Sequence, residues 1–136
     1  MNPKRLITLK EVSMAIAHKL NKGEGFPDSV LGDFIDDFRL RTKDSEEKAA
    51  LVHEEPERVA VEGYRDVNAY LAAVAETLCR EAGLTPPAWT EKSEYFLPEP
   101  WFAGGLENLK AILLVESPIP FRRRNLFVSE NAMTRV

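Results

Sequence analysis

Residues 66–82 read DVNAYLAAVAETLCREA, and their pattern predicts a long central helix. Its large apolar residues recur at steps of three and four, which places them on one face of a helix, and the alanines between them favour helix formation. Asp66 is suited to cap the start of the helix, while Gly83 and Pro86-Pro87 predict its end. The apolar face consists of Val67, Tyr70, Leu71, Val74 and Leu78.

Two upstream segments begin with a capping-box spacing. Thr8 precedes Glu11 by three residues, so the hydroxyl can accept from the backbone while the carboxylate reaches back, and a helix is predicted over about 8–21. Asp44 and Glu47 repeat the spacing and predict a short third helix.

Between these two segments, residues 28–41 carry a strong apolar stripe, which predicts a second, amphipathic helix. Asp28 or Ser29 is expected to cap this helix. Aspartates at 33, 36 and 37 are expected to lie off the apolar stripe. Arginines are expected in the last turn, where a positive charge interacts favourably with the helix dipole. The stripe consists of Val30, Leu31, Phe34, Ile35 and Phe38.

Prolines and aromatic residues alternate from about 85 to 104, a segment that holds both tryptophans. Four prolines exclude one regular helix, yet so much aromatic surface is rarely left in water. We expect this segment to wrap across the helices, with a helical turn near 90–94. Apolar spacing returns at 105–116 and predicts a further helix.

The whole chain of 136 residues is the size of one domain, and its 44% apolar and 29% charged residues are typical of globular proteins. Cys79 is the only cysteine, so no internal disulfide is possible and a reducing compartment is favoured. No apolar run approaches the about 20 residues that cross a bilayer. We expect a single helical domain over 1–136, in the cytoplasm and without a membrane partner.

The charges divide the chain into an acidic body and a basic tail. The net charge is −4, although residues 118–136 hold four arginines against one glutamate. Binding of phosphate backbones over the whole surface is therefore disfavoured, because it depends on excess cations. A local contact with phosphate or carboxylate through Arg122, Arg123 and Arg124 remains open.

The sequence indicates no catalytic, metal or cofactor site. His18 and His53 lack the helical spacing of a pair of metal ligands. Cys79 is expected to be a buried core residue, and no histidine is in sight to activate it as a nucleophile. Glu94 and Glu99 could form a carboxylate-based enzyme site, but surface glutamates are common. The pattern favours a non-enzymatic protein.

The arginine run beside Phe121 and Phe127 allows three interpretations. The arginines could pair with the acidic body and fix the tail across it, contact another protein, or bind nucleic acid with the aromatic rings stacking on bases. The residues expected to bind a partner are Trp101, Phe102, Phe121, Arg122, Arg123, Arg124 and Phe127.

The C-terminal third resembles a small bacterial family without assigned activity. The likeness is carried by LPEPWF at 97–102, ESP at 116–118 and FRRRNLFV at 121–128. Such proteins look like partners encoded beside nucleotidyltransferase-like proteins of toxin–antitoxin or phage-defence pairs. The resemblance implies a regulator or antitoxin that binds a protein, and it implies no catalytic residue.

The predicted fold is an all-α, irregular bundle of five or six helices with a wrapping segment rich in proline and aromatic residues. The leading functional hypothesis is a non-enzymatic protein-interaction module that acts as an antitoxin or regulator of a nucleotidyltransferase-like partner. One alternative is a nucleic-acid-binding accessory protein that uses Arg122 to Arg124, and another is the carboxylate enzyme.

Overall fold

The computed structural model describes residues 5–24, 27–59, 66–102, 117–128 and 133. These residues are mainly helical, which confirms the predicted all-α bundle. The α-helices are α1 (Leu9–Asn21), α2 (Asp28–Asp36), α3 (Ser45–Val52), α4 (Asp66–Glu81) and α5 (Ile119–Arg122); the two short strands are β1 (Trp101–Phe102) and β2 (Leu126–Phe127).

Helix α1 begins and ends as its sequence predicts. The Thr8 hydroxyl accepts from the Glu11 N–H at 3.2 Å, and the Glu11 carboxylate accepts from the Thr8 N–H at 2.9 Å, which completes the capping box. Gly23 takes φ +73°, and the Glu24 N–H donates to the Lys19 carbonyl at 3.1 Å. This C-terminal motif needs a left-handed residue, which glycine supplies without strain.

Helix α2 corrects two expectations. Pro27 stands at the N-cap position without a side-chain hydrogen bond, so neither Asp28 nor Ser29 is the cap. The last turn, Asp37–Arg41, is π-helical, and the side chains of Thr42 and Lys48 donate to the Phe38 carbonyl there. Asp37 is also buried rather than off the apolar stripe, and its carboxylate accepts from Arg41 Nη1 at 2.6 Å.

Helix α3 confirms the second capping signal, since the Asp44 carboxylate accepts from the Glu47 N–H at 2.9 Å. Helix α4 confirms the long central helix. Gly83 takes φ +73°, and the Leu84 N–H donates to the Cys79 carbonyl at 2.8 Å. The predicted cap by the Asp66 side chain lies outside what is described.

The proline-rich segment wraps across the helices, as predicted, through two short 3-10 turns, Ala88–Glu91 and Ser93–Tyr95. Trp89 is buried, and its Nε1–H donates to the Val52 carbonyl at the end of α3 at 2.9 Å. The Tyr95 ring packs edge-on against Trp89 with 5.5 Å between ring centroids. The aromatic side chains thus cover the core formed by α1, α2 and α4.

The C-terminal segment packs onto α4 and onto the wrapping segment. Phe121 of α5 is fully buried, 5.0 Å from the Tyr70 ring of α4. Strands β1 and β2 then form a parallel pair with Trp101 opposite Leu126. The sequence did not predict this pair, since each strand has only two residues. The predicted helix at 105–116 lies outside the described residues.

Candidate functional site

Arg124 is the largest fully buried side chain of the described residues. Its Nη1 donates to Glu76 Oε1 at 2.6 Å and to the Pro120 carbonyl at 2.7 Å, and its Nη2 donates to the Thr90 carbonyl at 2.8 Å. The guanidinium carbon lies 4.8 Å from the centroid of the Phe96 ring. Arg124 therefore links α4, α5 and the wrapping segment from inside the core.

Glu76 is the centre of this arrangement and is 1% exposed. Besides Arg124, its carboxylate accepts from Arg80 Nε at 2.7 Å and from Arg123 Nη1 at 2.9 Å. Burial alone raises the pKa of Glu76, but hydrogen bonds from the three arginines outweigh it and hold the pKa below its usual value. Glu76 is therefore a carboxylate at neutral pH.

Arg123 joins Glu76 to a second acid, Glu91. Its Nη1 and Nη2 donate to the two Glu91 oxygens, each at 2.8 Å, in the bidentate geometry that arginine forms with carboxylates. Hydrogen bonding to Glu91 raises the pKa of Arg123. We call Glu76, Arg80, Glu91, Arg123 and Arg124 the Glu76 cluster.

The three consecutive arginines thus have different environments. Arg124 is fully buried, the Arg123 side chain is 35% exposed, and Arg122 is exposed. Within the described part of the chain, the Arg122 side chain forms no hydrogen bond or ion pair. Of the three interpretations of the arginine run, pairing with the acidic body is the one that the structure shows for Arg123 and Arg124.

The predicted partner-binding set is corrected accordingly. Phe121, Arg124 and Phe127 are buried within this single chain, so they offer no accessible surface in this fold. Trp101 is half-buried, and the Phe102 side chain lies outside the described residues. Arg122, Arg123 and part of Trp101 remain accessible, and their contact with a partner stays a prediction.

An open groove of about 870 Å³ lies on the surface where α4, α5 and the first 3-10 turn meet. Four members of the Glu76 cluster, all except Arg124, are among the residues that line it. Ile119 lies on the α5 side and is 68% exposed, although it is a large aliphatic residue. We call this the α4–α5 groove; its lining includes Glu76, Arg80, Glu81, Glu91, Ile119 and Arg123.

The other candidate residues do not come together. His18 is exposed on α1 and His53 is exposed just after the end of α3. Glu94 and Glu99 are exposed as well, so these two acids lack the enclosed pocket that an acid–base site requires. Burial raises the pKa of the Cys79 thiol to about 11, which suppresses the reactive thiolate. Across the described ranges, no group of three or more histidine, cysteine or acidic side chains is placed to hold a metal ion.

Glu76 itself was not singled out from the sequence. The signal was present, because the neighbours of Glu76 on that side of α4, Ala72, Ala73 and Cys79, are all apolar and buried. A carboxylate in such a stripe requires a buried cation as its partner. That partner lies 48 residues later, and helical spacing carries no information at that distance.

Comparison with known proteins found no matching family model, no matching curated protein and no matching solved structure. None of the described helices combines the length and the apolar character that crossing a membrane demands.

Proposed function

We propose that this chain is a non-enzymatic protein-interaction module that acts in the cytoplasm as a regulator or antitoxin of a nucleotidyltransferase-like partner. The observation that carries the proposal is Ile119, which is 68% exposed on the side of an open groove. Large aliphatic side chains beside a polar groove are typical anchors of protein interfaces. The resemblance of residues 97–102 and 121–128 to partners of nucleotidyltransferase-like proteins supports this choice of partner.

The nucleic-acid alternative has less support. Arg123 and Arg124 are engaged by Glu76 and Glu91, so only Arg122 of the run has its full donor capacity available within the described part of the chain. One cation contributes a salt slope of only about 0.9 in log affinity against log salt. Specific DNA-binding proteins use several such contacts.

The proposal is tested with the nucleotidyltransferase-like protein encoded beside this chain. The two full-length proteins are produced together, separated by size-exclusion chromatography and titrated by calorimetry, and the partner's activity is measured with and without this chain. We expect a stable complex and a change in the partner's activity. Separate elution with a flat titration would overturn the proposal, as would the absence of such a neighbour.

A further inference from the structure

We propose that the α4–α5 groove binds an acidic peptide segment of a partner protein, with an apolar side chain of that segment packing on Ile119. The inference rests on the proposed function and specifies the chemistry of the partner. It follows from the hydrogen bonds in the groove: arginines of the same chain bind its carboxylates, whereas some arginine nitrogens have no partner among the described residues.

The acids of the groove are neutralised from within the chain. Both oxygens of Glu91 accept from Arg123, and those of Glu81 accept from Arg39 at 3.1 Å and 2.9 Å. Both oxygens of Glu76 are likewise bound by arginines. These three carboxylates therefore have little capacity left to attract a cationic ligand.

The remaining capacity of the groove is cationic. Four arginines, at 39, 80, 123 and 124, bind the three glutamates that line the groove, which leaves one positive charge in excess; of the four, Arg80 and Arg123 belong to the lining itself. Arg80 binds Glu76 through Nε alone, so among the described residues its two terminal nitrogens have no partner; its side chain is 59% exposed. Arg122 is exposed and follows Ile119 by three residues on α5, so it adds a cation close to the aliphatic side chain, although it is not one of the residues that line the groove. Carboxylates of a ligand complement both groups.

The apolar component distinguishes a peptide from a nucleic acid. Ile119 and Pro120 form an apolar side of the groove, where a leucine, isoleucine or phenylalanine of a partner would lose water-exposed surface. A nucleic-acid strand brings regularly spaced phosphates, and three glutamates along the groove would lie close to several of them. An acidic peptide can place its carboxylates at Arg80 and Arg122 only and its apolar side chain on Ile119.

The test uses fluorescein-labelled peptide pools and the full chain. One pool combines glutamate and aspartate with leucine, isoleucine and phenylalanine, and a second replaces every acid by lysine. Fluorescence anisotropy should show binding of the acidic pool only. Ile119→Ser should weaken it about tenfold, and Arg122→Gln about threefold.

Matched controls separate the groove from general effects. Leu40→Ser removes an aliphatic side chain that is 76% exposed on the π-helical turn, and Lys22→Gln removes one positive charge from the C-terminal end of α1. Neither residue lines the groove, so both variants should bind the acidic pool like the wild type. Circular dichroism and thermal unfolding check that all four variants fold.

Three results would overturn the inference. The first is failure of the acidic pool to bind, or equal weakening by the control variants. The second is Arg122-dependent binding of single-stranded or duplex oligonucleotides without binding of the acidic pool, which would assign the groove to nucleic acid. The third is self-association of the wild type that Ile119→Ser abolishes, which would assign the groove to a second copy.

The same variants separate this inference from the proposed function. If the neighbour-encoded protein binds the wild type and Ile119→Ser equally well, the groove proposal fails and the interaction function stands. If the acidic pool binds in the groove but that protein does not bind at all, the proposed partner is wrong and the groove remains a peptide site.

Discussion

The start of α1 and the middle of α4 each hold an arginine–glutamate pair with the same N–O distance. Arg5 Nη2 lies 2.6 Å from Glu11, and Arg124 Nη1 lies 2.6 Å from Glu76. The side chains of the first pair are 72% and 36% exposed, whereas those of the second are 0% and 2% exposed. Water screens the first pair, and the second has no water to replace a lost partner. Distance alone therefore says little about the consequences of breaking an ion pair.

The largest expected effect comes from Glu76→Gln. It leaves Arg124 buried without a counter-charge, and removal of one member of a buried pair costs about 3–5 kcal/mol. Urea unfolding of Glu76→Gln and of the matched variant Glu11→Gln measures the difference. Similar losses in the two variants would mean that burial does not separate the two pairs.

Arg124→Met should cost less, about 1–3 kcal/mol. Its removal leaves the carbonyls of Thr90 and Pro120 without this donor, but Glu76 keeps Arg80 and Arg123. The double variant Glu76→Gln/Arg124→Met should therefore be more stable than Glu76→Gln alone. Additive losses in a double-mutant cycle would show that the two side chains are not coupled.

Thr8→Ala tests the exposed region and should cost about 1 kcal/mol, because it removes the hydroxyl that accepts from the Glu11 N–H at the start of α1. Arg5→Gln, its control, should lower the urea midpoint far less than Thr8→Ala, because water screens this exposed ion pair. If Arg5→Gln were the more damaging of the two, the exposed ion pair rather than the cap would stabilise this helix end.

Acid should produce the smallest effect, because burial opposes the lowering of the Glu76 pKa. A carboxyl whose pKa is lower in the folded chain stabilises the fold above its unfolded pKa, and this contribution is lost as pH falls through the folded value. Hydrogen bonds from Arg5 and the Thr8 backbone lower the pKa of Glu11 to about 2, so both regions should lose stability below about pH 4.5.

Salt distinguishes the loss of stability on protonation of Glu76 from that on protonation of Glu11. In 1 M NaCl the screening length is about 3 Å, and the salt acts mainly on exposed charges. Part of the loss of unfolding free energy between pH 5 and pH 3 should persist in 1 M NaCl for the wild type and for Glu11→Gln. Complete removal of the loss by salt would argue against a contribution from the buried pair.

The same contrast explains which parts of the fold the sequence predicts. Helices α1, α3 and α4 follow from signals within a few residues, namely Thr8 with Glu11, Asp44 with Glu47, and Gly83. The predicted cap of α2 was wrong, because Pro27 occupies the N-cap position and its side chain forms no hydrogen bond there. Local spacing did not predict the π-helical turn, where the Phe38 carbonyl accepts from the side chains of Thr42 and of Lys48, ten residues beyond Phe38.

The candidate site was predicted less well than the fold. The sequence located the arginine run, but it could not assign which arginine is internal. Arg124 is buried beside Asn125, whose φ of +64° turns the chain into β2, the strand that pairs with β1. That turn and that pairing are tertiary features, and three consecutive arginines look equivalent without them.

The position of Arg124 also bears on how the chain matures during synthesis. Glu76 leaves the ribosome 48 residues before Arg124, so during that interval only Arg80, of the three arginines that bind it in the fold, is available to pair with it. At translation rates of about 5–20 residues per second, this delay lasts seconds. Fragments that stop short of residue 124 would keep that acid hydrated and the helix loosely attached, which makes them natural substrates for proteases.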